Sequence, residues 1–269
     1  MLIRTWNVFH GNTKPPQRKA FLDEMVRLAV ADAPDILCLQ EIPAWALPKL
    51  GGWSGYTAIG AVAARPMLGP LPSTAEIGRL LTSIDHGALR SAFSGQGNAI
   101  LAAPHLRVAD RHVLELNPRR FRRKQSEWLE LGLLARLAWG KERRVCQVVR
   151  LGDGGRTLVL ANLHATSYPP DERLADAELL RAAAYADGIA MPDEPLVLCG
   201  DFNVTFERSR TLLDLSSPDW GFSRAGTGID QIVVRYLAIE KGPEPWPRER
   251  REPNGVLLSD HAPVEAVVA

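Results

Sequence analysis

The sequence predicts an α/β sandwich, in which two packed β-sheets are flanked by helices. Three observations support this prediction. A strand–helix–strand unit opens the chain, a series of extended segments joined by turns follows it, and the helical segments carry their apolar residues on one face. Successive extended segments form antiparallel meanders, and helices with one apolar face cover the outer side of a sheet. Two sheets packed face to face accommodate both kinds of element.

The opening unit covers the first 41 residues. Residues 2–8 predict a short strand, and residues 10–12 predict a turn. Pro15-Pro16 predicts the start of a helix, in which apolar residues recur at helical spacing until Ala33-Pro34 ends it. Residues 35–41 then predict a buried strand that finishes on the carboxylate of Glu41.

Extended segments dominate the rest of the chain. The turn Gly152-Asp153-Gly154-Gly155 predicts a hairpin between two of them. Further strands are predicted at residues 98–102, 106–116, 128–139, 144–151, 157–163, 196–201, 229–234 and 263–268. Helices are predicted at residues 74–84, 171–189 and 206–213. Residues 62–95, rich in Pro, Gly and Ala, are expected to form a surface excursion from a single domain spanning residues 1–269.

Charge and composition exclude some classes of protein. The 269-residue chain has a net charge of +1, so binding to nucleic acid or to an anionic membrane must be local. The three cysteines are scattered and make no disulfide framework. The N-terminus lacks a signal-peptide pattern, and no run approaches the ~18 apolar residues expected of a spanning helix. A cytoplasmic protein without membrane insertion is therefore expected.

Asp201 and Asn203 lie in the most informative motif, Gly200-Asp201-Phe202-Asn203-Val204, which follows an apolar run. Side chains two positions apart point the same way on an extended chain, so both can address one atom. An Asp carboxylate accepts a proton, and an Asn amide holds an attacking water or a phosphate oxygen without adding charge. The pair is therefore suited to water activation. A turn in which the Asp caps its own backbone is the structural alternative.

Other polar residues also end apolar segments. They are Asn7, Glu41, Asn162, His164, Asp230, Asp260 and His261. Each alone has a structural explanation, and a lone histidine such as His164 is more often a satisfied interior imidazole. Several carboxylates gathered at one edge would repel one another unless a cation neutralised them. Because most of the donors are carboxylate and amide oxygens, they favour Mg²⁺, or Mn²⁺, over zinc.

Asp230 is the expected partner of His261. Asp260 directly precedes His261, so on an extended chain these two side chains point to opposite sides. Asp230, on the preceding strand, can hold one tautomer of the imidazole and support its charged form, an arrangement used in acid–base catalysis. A purely structural hydrogen bond between the two is the alternative.

Six motifs resemble, in order along the chain, those of the endonuclease/exonuclease/phosphatase superfamily, which includes the DNase I-like nucleases. The motifs are Trp6-Asn7-Val8, Leu39-Gln40-Glu41-Ile42, Asn162-Leu163-His164, Gly200-Asp201-Phe202-Asn203, Gly228-Ile229-Asp230-Gln231-Ile232 and Ser259-Asp260-His261-Ala262-Pro263-Val264. The resemblance implies a four-layered α/β sandwich with two mainly antiparallel sheets. It also implies Mg²⁺-dependent phosphoester hydrolysis by in-line attack of water.

The resemblance further implies which residues bind the metal ion and the water. Glu41 would be the principal metal ligand, with Asn7 beside it and Asp260 as a further ligand. Asp201 would position or deprotonate the attacking water, and Asn203 would help to hold the water or the phosphate.

Three residues would complete the catalytic set. By the same resemblance His261, oriented by Asp230, would bind phosphoryl oxygens or act as a base, and His164 would assist the leaving group.

Two other classes of protein stay open. A calcineurin-like two-metal phosphatase needs a histidine-rich set, and this chain has six histidines in all. A non-catalytic binding protein on the same fold would lack one or more of the catalytic groups, whereas every main position is filled here.

The basic segment 117–124 is the main indication of the substrate. It carries five basic residues around one aromatic: Arg119, Arg120, Phe121, Arg122, Arg123 and Lys124. These residues could follow a phosphate backbone while Phe121 stacks on a base, although a solvated basic hairpin is an alternative. Asn162 is a further candidate substrate contact. Nucleic acid is the favoured substrate, and a small phosphorylated metabolite or a lipid headgroup is the alternative. The protein is expected to be a monomer.

Overall fold

Two large sheets and eight helices organise the part of the chain that the computed structural model describes, residues 1–68, 71–86, 91–224 and 226–269. The strands are β1 (Leu2–Asn7), β2 (Thr13–Lys14), β3 (Ile36–Ile42), β4 (Thr57–Ala64), β5 (Met67–Leu68), β6 (Leu71–Pro72), β7 (Gln96–Ala102), β8 (Arg107–Glu115), β9 (Val145–Gly152), β10 (Thr157–His164), β11 (Leu196–Asp201), β12 (Asp230–Arg235), β13 (Ile239–Pro245), β14 (Leu257–Leu258) and β15 (Val264–Val268). The helices are α1 (Leu22–Val30), α2 (Leu50–Ser54), α3 (Ala75–Ile84), α4 (Ser91–Ser94), α5 (Arg119–Trp128), α6 (Leu133–Lys141), α7 (Arg173–Asp187) and α8 (Arg210–Leu215). None of the described helices is long and apolar enough to cross a membrane.

The two sheets are mainly antiparallel, as the sequence predicted. The first has the strand order β13-β15-β1-β3-β7-β4, and the second has the order β12-β11-β10-β9-β8. Within each sheet one pair of strands is parallel, β1 with β3 and β10 with β11. Since the carboxyl ends of parallel strands lie at the same edge, these two pairs determine where polar residues that follow the strands collect.

Three apolar clusters separate four layers. In β3, Ile36 and Cys38 pack toward the second sheet, whereas Leu37 and Leu39 pack toward α1, because successive side chains of a strand alternate between its faces. A third cluster lies between the second sheet and helices α7 and α8. The order of layers is helix, sheet, sheet, helix, which confirms the predicted four-layered sandwich.

Gly200 allows β10 and β11 to approach closely at the edge that carries the polar residues. Its φ is +132°, and a Cβ atom there would lie 1.9 Å from the carbonyl oxygen of Leu163. A side chain at this position would therefore collide with the neighbouring strand. The glycine before Asp201 is a requirement of the strand pairing that holds Asp201 opposite His164.

Several sequence predictions were wrong in detail. Residues 128–139, predicted as extended, lie mainly in α5 and α6, where Trp139 and Ala135 pack inward at helical spacing. Helix α1 begins at Leu22, after an irregular stretch that follows Pro15-Pro16. Strands β4 and β13 were not predicted; both are edge strands of the first sheet, and their Ala-, Gly- and Pro-containing sequences carry little strand signal.

The predicted excursion at residues 62–95 contains the end of β4, the β5–β6 hairpin and helices α3 and α4. Residues 69–70 and 87–90 of this segment lie outside the described residues. Thr74 caps α3, because its hydroxyl oxygen accepts a hydrogen bond from the Ile77 amide at 3.3 Å. The helix predicted for residues 74–84 is therefore present.

Candidate active site

Asn7 lies at the centre of the polar edge and connects the two sheets. It ends β1, and its Nδ2 donates to Glu41 Oε1 at 3.3 Å and to Asp201 Oδ2 at 3.0 Å. Its Oδ1 accepts from the Phe9 amide at 3.0 Å. Two carboxylates that come from different sheets therefore share one amide donor.

Asp201 ends β11, and Asn203 follows two positions later. The backbone amide of Asn203 donates to Asp201 Oδ1 at 3.0 Å, and the side-chain Nδ2 of Asn203 donates to the Ala165 carbonyl at 3.0 Å. The Asp–Asn turn considered in the sequence is thus present, and it leaves Asp201 Oδ2 directed to the other polar residues of the edge. Burial, and then the negative charge of Asp230, raise the pKa of the Asp201 carboxyl well above its usual range.

Asp230 and His261 form a close pair. His261 Nδ1 lies 2.7 Å from Asp230 Oδ2, and His261 Nε2 lies 3.9 Å from Asp201 Oδ2. Burial lowers the pKa of His261, but the hydrogen bond to Asp230 and the charges of Asp230 and Asp201 outweigh it and raise that pKa. The imidazolium form is therefore favoured between two carboxylates.

The loop that carries His261 is held by its backbone. Trp6 Nε1 donates to the His261 carbonyl at 3.0 Å, and Arg251 Nη1 donates to the carbonyls of Ser259 and His261, both at 3.1 Å. The Ser259 hydroxyl donates to the Asn7 carbonyl at 2.7 Å. These contacts fix the imidazole relative to β1.

His164 ends β10 and lies beside Asp201. Its Nε2 is 3.5 Å from Asp201 Oδ2 and 3.8 Å from Glu41 Oε1. Arg144 Nη1 lies 2.9 Å from Nδ1 and 3.0 Å from Nε2 of the same ring. Arg144 Nη1 cannot donate in the ring plane to both ring nitrogens of His164, because the Cε1–H group lies between Nδ1 and Nε2. The guanidinium therefore packs on the face of the imidazole. Burial, followed by the charge of Arg144, lowers the pKa of His164, which favours the neutral ring.

Two residues of this edge were missed in the sequence. His10 Nε2 lies 3.2 Å from Glu41 Oε2, although His10 falls outside the six motifs. Arg144 is buried against His164, and its only sequence signal is a basic residue at the start of an apolar strand. Neither contact follows from spacing along the chain, because each joins residues at least 20 positions apart.

Backbone strain is concentrated at this edge. Of the described non-glycine residues with positive φ, four belong to it: His10 at +57°, Glu41 at +56°, Asn203 at +50° and Ser259 at +60°. Such conformations cost of order 1–3 kcal/mol each and persist where surrounding contacts enforce them. Their clustering is typical of a functional site.

The described residues fit a hard divalent cation through carboxylate oxygens. Among them, the group whose ligand atoms lie within 4.8 Å of one another is Asp201, Asp230 and His261. His261 and Asp230 already bond to each other, so this group is better suited to orienting a proton than to enclosing an ion. Glu41 and Asp201, which share the Asn7 amide, offer oxygen donors. Burial first, and the negative charge of Asp230 second, raise the pKa of Asp201, and a cation beside it would balance that charge.

Two further predicted site residues, Asp260 and Asn162, differ in their exposure to solvent. Asp260 is exposed on the His261 loop. Asn162 is fully buried: it accepts from Gln40 at 2.7 Å and donates to the carbonyls of Leu39 and Ala99. The prediction that it touches substrate is wrong, because its amide is used between the sheets.

The basic segment is a helix rather than part of a hairpin. Arg119, Arg120, Phe121, Arg122 and Arg123 all lie in α5. Phe121 packs edge-on against Trp139, with ring centroids 5.8 Å apart, inside a small apolar cluster. The ring therefore already has an aromatic partner, and its stacking on a base stays a prediction.

Known proteins resemble this chain over its whole length. The model of the "Endonuclease/Exonuclease/phosphatase family" matches residues 5–261. Among solved structures, a functionally unknown protein from Enterococcus faecalis V583 has a TM-score of 0.67 at 16% identity, covering 100% of this chain and 99% of its own. The human Nocturnin catalytic domain with bound sulfate has a TM-score of 0.61 at 16% identity, covering 100% of this chain and 93% of its own. A humanized D. rerio TDP2 has a TM-score of 0.59 at 14% identity, covering 100% and 98%.

These structures are similar in fold alone at such identities, and no curated protein sequence matches the chain. The family model covers every predicted site residue, from Asn7 to His261. The chain therefore belongs to the endonuclease/exonuclease/phosphatase family.

Proposed function

We propose that this protein is a divalent-metal-dependent phosphodiesterase that cleaves a P–O bond by in-line attack of water. The observation that supports this most strongly is the convergence of Asp201, His164 and the Asp230–His261 pair at one edge. The family supplies the reaction class, since it comprises endonucleases, exonucleases and phosphatases. Mg²⁺ is the proposed ion, with Mn²⁺ as a substitute.

Asp201 and Asn203 are the proposed water-handling residues. Asp201 Oδ2 is directed to the edge and can hold the attacking water or accept its proton. The side-chain Nδ2 of Asn203 is fixed by its hydrogen bond to the Ala165 carbonyl, so Asn203 Oδ1 is left to orient the water. The buried position of Asp201 favours proton uptake, because its carboxyl already has a raised pKa.

His261 and His164 have different proposed roles because their charges differ. The paired imidazolium of His261 can donate from Nε2 to a phosphoryl oxygen, which stabilises negative charge as the bond breaks. Neutral His164 can assist the leaving oxygen, and the guanidinium of Arg144 behind it adds positive charge to the same place. Asp230 is a positioning residue, which acts through His261.

Glu41 is the proposed principal metal ligand, with Asn7 beside it and Asp260 as a further ligand. A bound Mg²⁺ would supply Lewis-acid stabilisation of charge on the phosphoryl and leaving oxygens. Glu41 is held for this role by Asn7 Nδ2 at 3.3 Å and by His10 Nε2 at 3.2 Å. His10 is a proposed positioning residue for Glu41.

Nucleic acid remains the first candidate substrate because of the basic helix α5. Arg119, Arg120 and Arg123 are exposed on it and suit a chain of phosphates. A lipid headgroup is the second candidate, favoured by exposed Leu and Trp side chains next to that helix.

Side-by-side turnover of four substrates tests the proposal. Bis-p-nitrophenyl phosphate, a single-stranded oligonucleotide, a duplex plasmid and a phosphoinositide would be incubated with Mg²⁺ and with EDTA. We expect hydrolysis that requires the ion and that is lost in Asp201→Asn, with Asp187→Asn, a surface carboxylate on α7, as the matched control. Ion-independent hydrolysis, or equal turnover by wild type and Asp201→Asn, would contradict the proposal. Absence of any hydrolysis would favour a binding protein.

A further inference from the structure

An exposed apolar surface lies on the connection between β8 and β9, residues 117–144, called here the α5–α6 unit. Four large apolar side chains of this unit project into solvent: Trp128 is 77% exposed, Leu133 71%, Leu134 74% and Leu137 62%. All four lie within the ten positions 128–137, at the end of α5 and along α6. Large exposed apolar groups in such a cluster mark an interaction site.

The α5–α6 unit holds these side chains in place. Trp139, on the opposite side of α6, is fully buried, and its Nε1 donates to Glu178 Oε1 at 2.6 Å. Asn117 Nδ2 donates to the Glu142 carbonyl at 2.8 Å, which closes the base of the unit. Because α6 is fixed from inside by Trp139, its outer leucines cannot turn inward.

The same unit is strongly basic. Between residues 117 and 144 there are nine Arg and Lys and three Glu, a net charge of +6, whereas the whole chain carries +1. Four of the basic side chains are exposed on α5, namely Arg119, Arg120, Arg123 and Lys124, and across the described residues none of these four has an ion-pair partner within 4.0 Å. The positive charge is therefore unneutralised and local.

We propose that the α5–α6 unit docks on the surface of an anionic lipid bilayer. Trp128 and the leucines would enter the interfacial region, and the basic residues of α5 would lie against the headgroups, as in basic amphipathic segments that bind membrane surfaces. Tryptophan prefers this interface. The exposed leucines favour lipid as the partner that covers this surface, whatever the substrate of the site, because aliphatic side chains do not stack on bases.

Docking in this way would bring the catalytic edge near the lipid surface. The α5–α6 unit ends at Arg144, which packs on His164, so the unit and the site lie at the same end of β9 and β10. A phosphoester in or near the membrane surface would then be accessible to the site. The docking itself does not depend on catalysis.

Vesicle flotation tests the proposal with the full chain. Wild type is expected to float with phosphatidylcholine vesicles that contain 30% phosphatidylserine, and not with phosphatidylcholine alone. Leu133→Ser/Leu134→Ser is expected to weaken this binding at least about tenfold, because two interfacial apolar anchors are lost. The matched control is Met191→Ser/Tyr236→Ser, two side chains 60% and 57% exposed that line a different cavity; its binding should stay unchanged.

Charge is tested separately. Arg119→Ala/Arg123→Ala should weaken binding about 25-fold, since each basic residue at an anionic surface contributes roughly fivefold. The control Arg107→Ala/Arg111→Ala, on β8, should leave it unchanged. Unaltered circular dichroism and melting temperature would show that each variant is folded.

Three results would overturn the proposal. The first is a wild-type protein that does not float with anionic vesicles. The second is binding of a single-stranded oligonucleotide that the leucine and arginine variants both reduce while vesicle binding is absent. The third is a dimer in sedimentation equilibrium that Leu133→Ser/Leu134→Ser converts to monomer without any effect on vesicles. Turnover of a soluble phosphodiester does not depend on vesicle binding. A failure of the docking proposal is therefore distinguishable from a failure of the proposed function.

Discussion

Glu178 on α7 offers a demanding test of how the active site is supported from outside the motifs. Its carboxylate is fully buried and accepts three hydrogen bonds. Trp139 Nε1 donates to Oε1 at 2.6 Å, the Thr166 hydroxyl donates to Oε1 at 2.7 Å, and the Thr166 amide donates to Oε2 at 2.7 Å. Thr166 follows Ala165, whose carbonyl accepts from Asn203 Nδ2. The substitution Glu178→Gln therefore perturbs the loop that fixes Asn203.

The expected loss of stability follows from the donors. A glutamine keeps one carbonyl oxygen, which can serve Trp139 and the Thr166 hydroxyl, but its amino group then faces the Thr166 amide. One buried donor left unpaired costs about 1–3 kcal/mol. Burial raises the pKa of the Glu178 carboxyl, so removal of its charge relieves part of this cost. We expect a net loss of about 1–2 kcal/mol in the free energy of unfolding, or roughly 2–6 °C in Tm.

Urea unfolding and steady-state kinetics on bis-p-nitrophenyl phosphate measure the two effects. Glu178→Gln should also lower kcat/KM about tenfold, because Asn203 loses its fixed orientation. Glu178→Ala leaves three buried donors without an acceptor and should lower the free energy of unfolding by at least about 3 kcal/mol. Glu207→Gln, the same change at an exposed carboxylate, is the control and should change neither quantity. Unchanged stability and turnover in Glu178→Gln would refute the reasoning.

The other predictions concern the strand pairing, an acid-sensitive ion pair and the buried arginine. Gly200→Ala should lower stability by at least about 2 kcal/mol in thermal melts, because its Cβ would meet the Leu163 carbonyl at 1.9 Å. The Arg4 guanidinium, by its hydrogen bonds, lowers the pKa of Asp32 to about 2. Since the folded pKa lies below the unfolded one, the stabilisation is present above about pH 4 and is lost as pH falls toward 2. Solvent screening limits it to about 1 kcal/mol, and Asp32→Asn should flatten that part of the Tm profile. Arg144→Gln should lower kcat for a phosphodiester about tenfold in steady-state kinetics, as one buried cation beside the leaving oxygen is removed.

Each of these predictions has an outcome that contradicts it. Wild-type stability of Gly200→Ala would mean that the strands separate without penalty. A Tm profile of Asp32→Asn that falls as steeply as wild type below pH 4 would place the acid sensitivity elsewhere. A kcat of Arg144→Gln within twofold of wild type would show that Arg144 does not stabilise the leaving oxygen.

Local patterning accounts for the elements that the sequence predicted well. The apolar alternation in β3 and β11 and the one-sided apolar face of α7 state which side is buried, so the two-sheet layout could be predicted. The edge strands β4 and β13 could not, because half of their surface faces solvent and their sequences lack strand formers. In residues 128–139 apolar residues face both the interior and solvent, which removes the helical period from the sequence.

The candidate site was predictable only where a motif ends a strand. Asp201 and Asp230 could be identified because each lies at one end of a strand, which directs its side chain to the edge. Asn203 and His261 lie on turns outside the strands, so extended-chain geometry does not set the direction of their side chains. Contacts across the sheets, such as His10 with Glu41, have no signature in spacing. Asn162 ends an apolar segment like the others, yet it serves the interface between the sheets, so position at a strand end does not by itself distinguish a structural amide from a functional one.

The central claim is that this edge hydrolyses phosphodiesters with a divalent ion and with Asp201 as the water-handling group. Its most direct test is the rate of bis-p-nitrophenyl phosphate hydrolysis by metal-free protein titrated with Mg²⁺, for wild type, Asp201→Asn and Glu41→Gln. We expect saturable activation of wild type, a loss of at least about 10³-fold in kcat for Asp201→Asn, and a higher Mg²⁺ requirement for Glu41→Gln. Full activity of metal-free wild type, or equal rates and equal Mg²⁺ dependence in all three proteins, would contradict the claim.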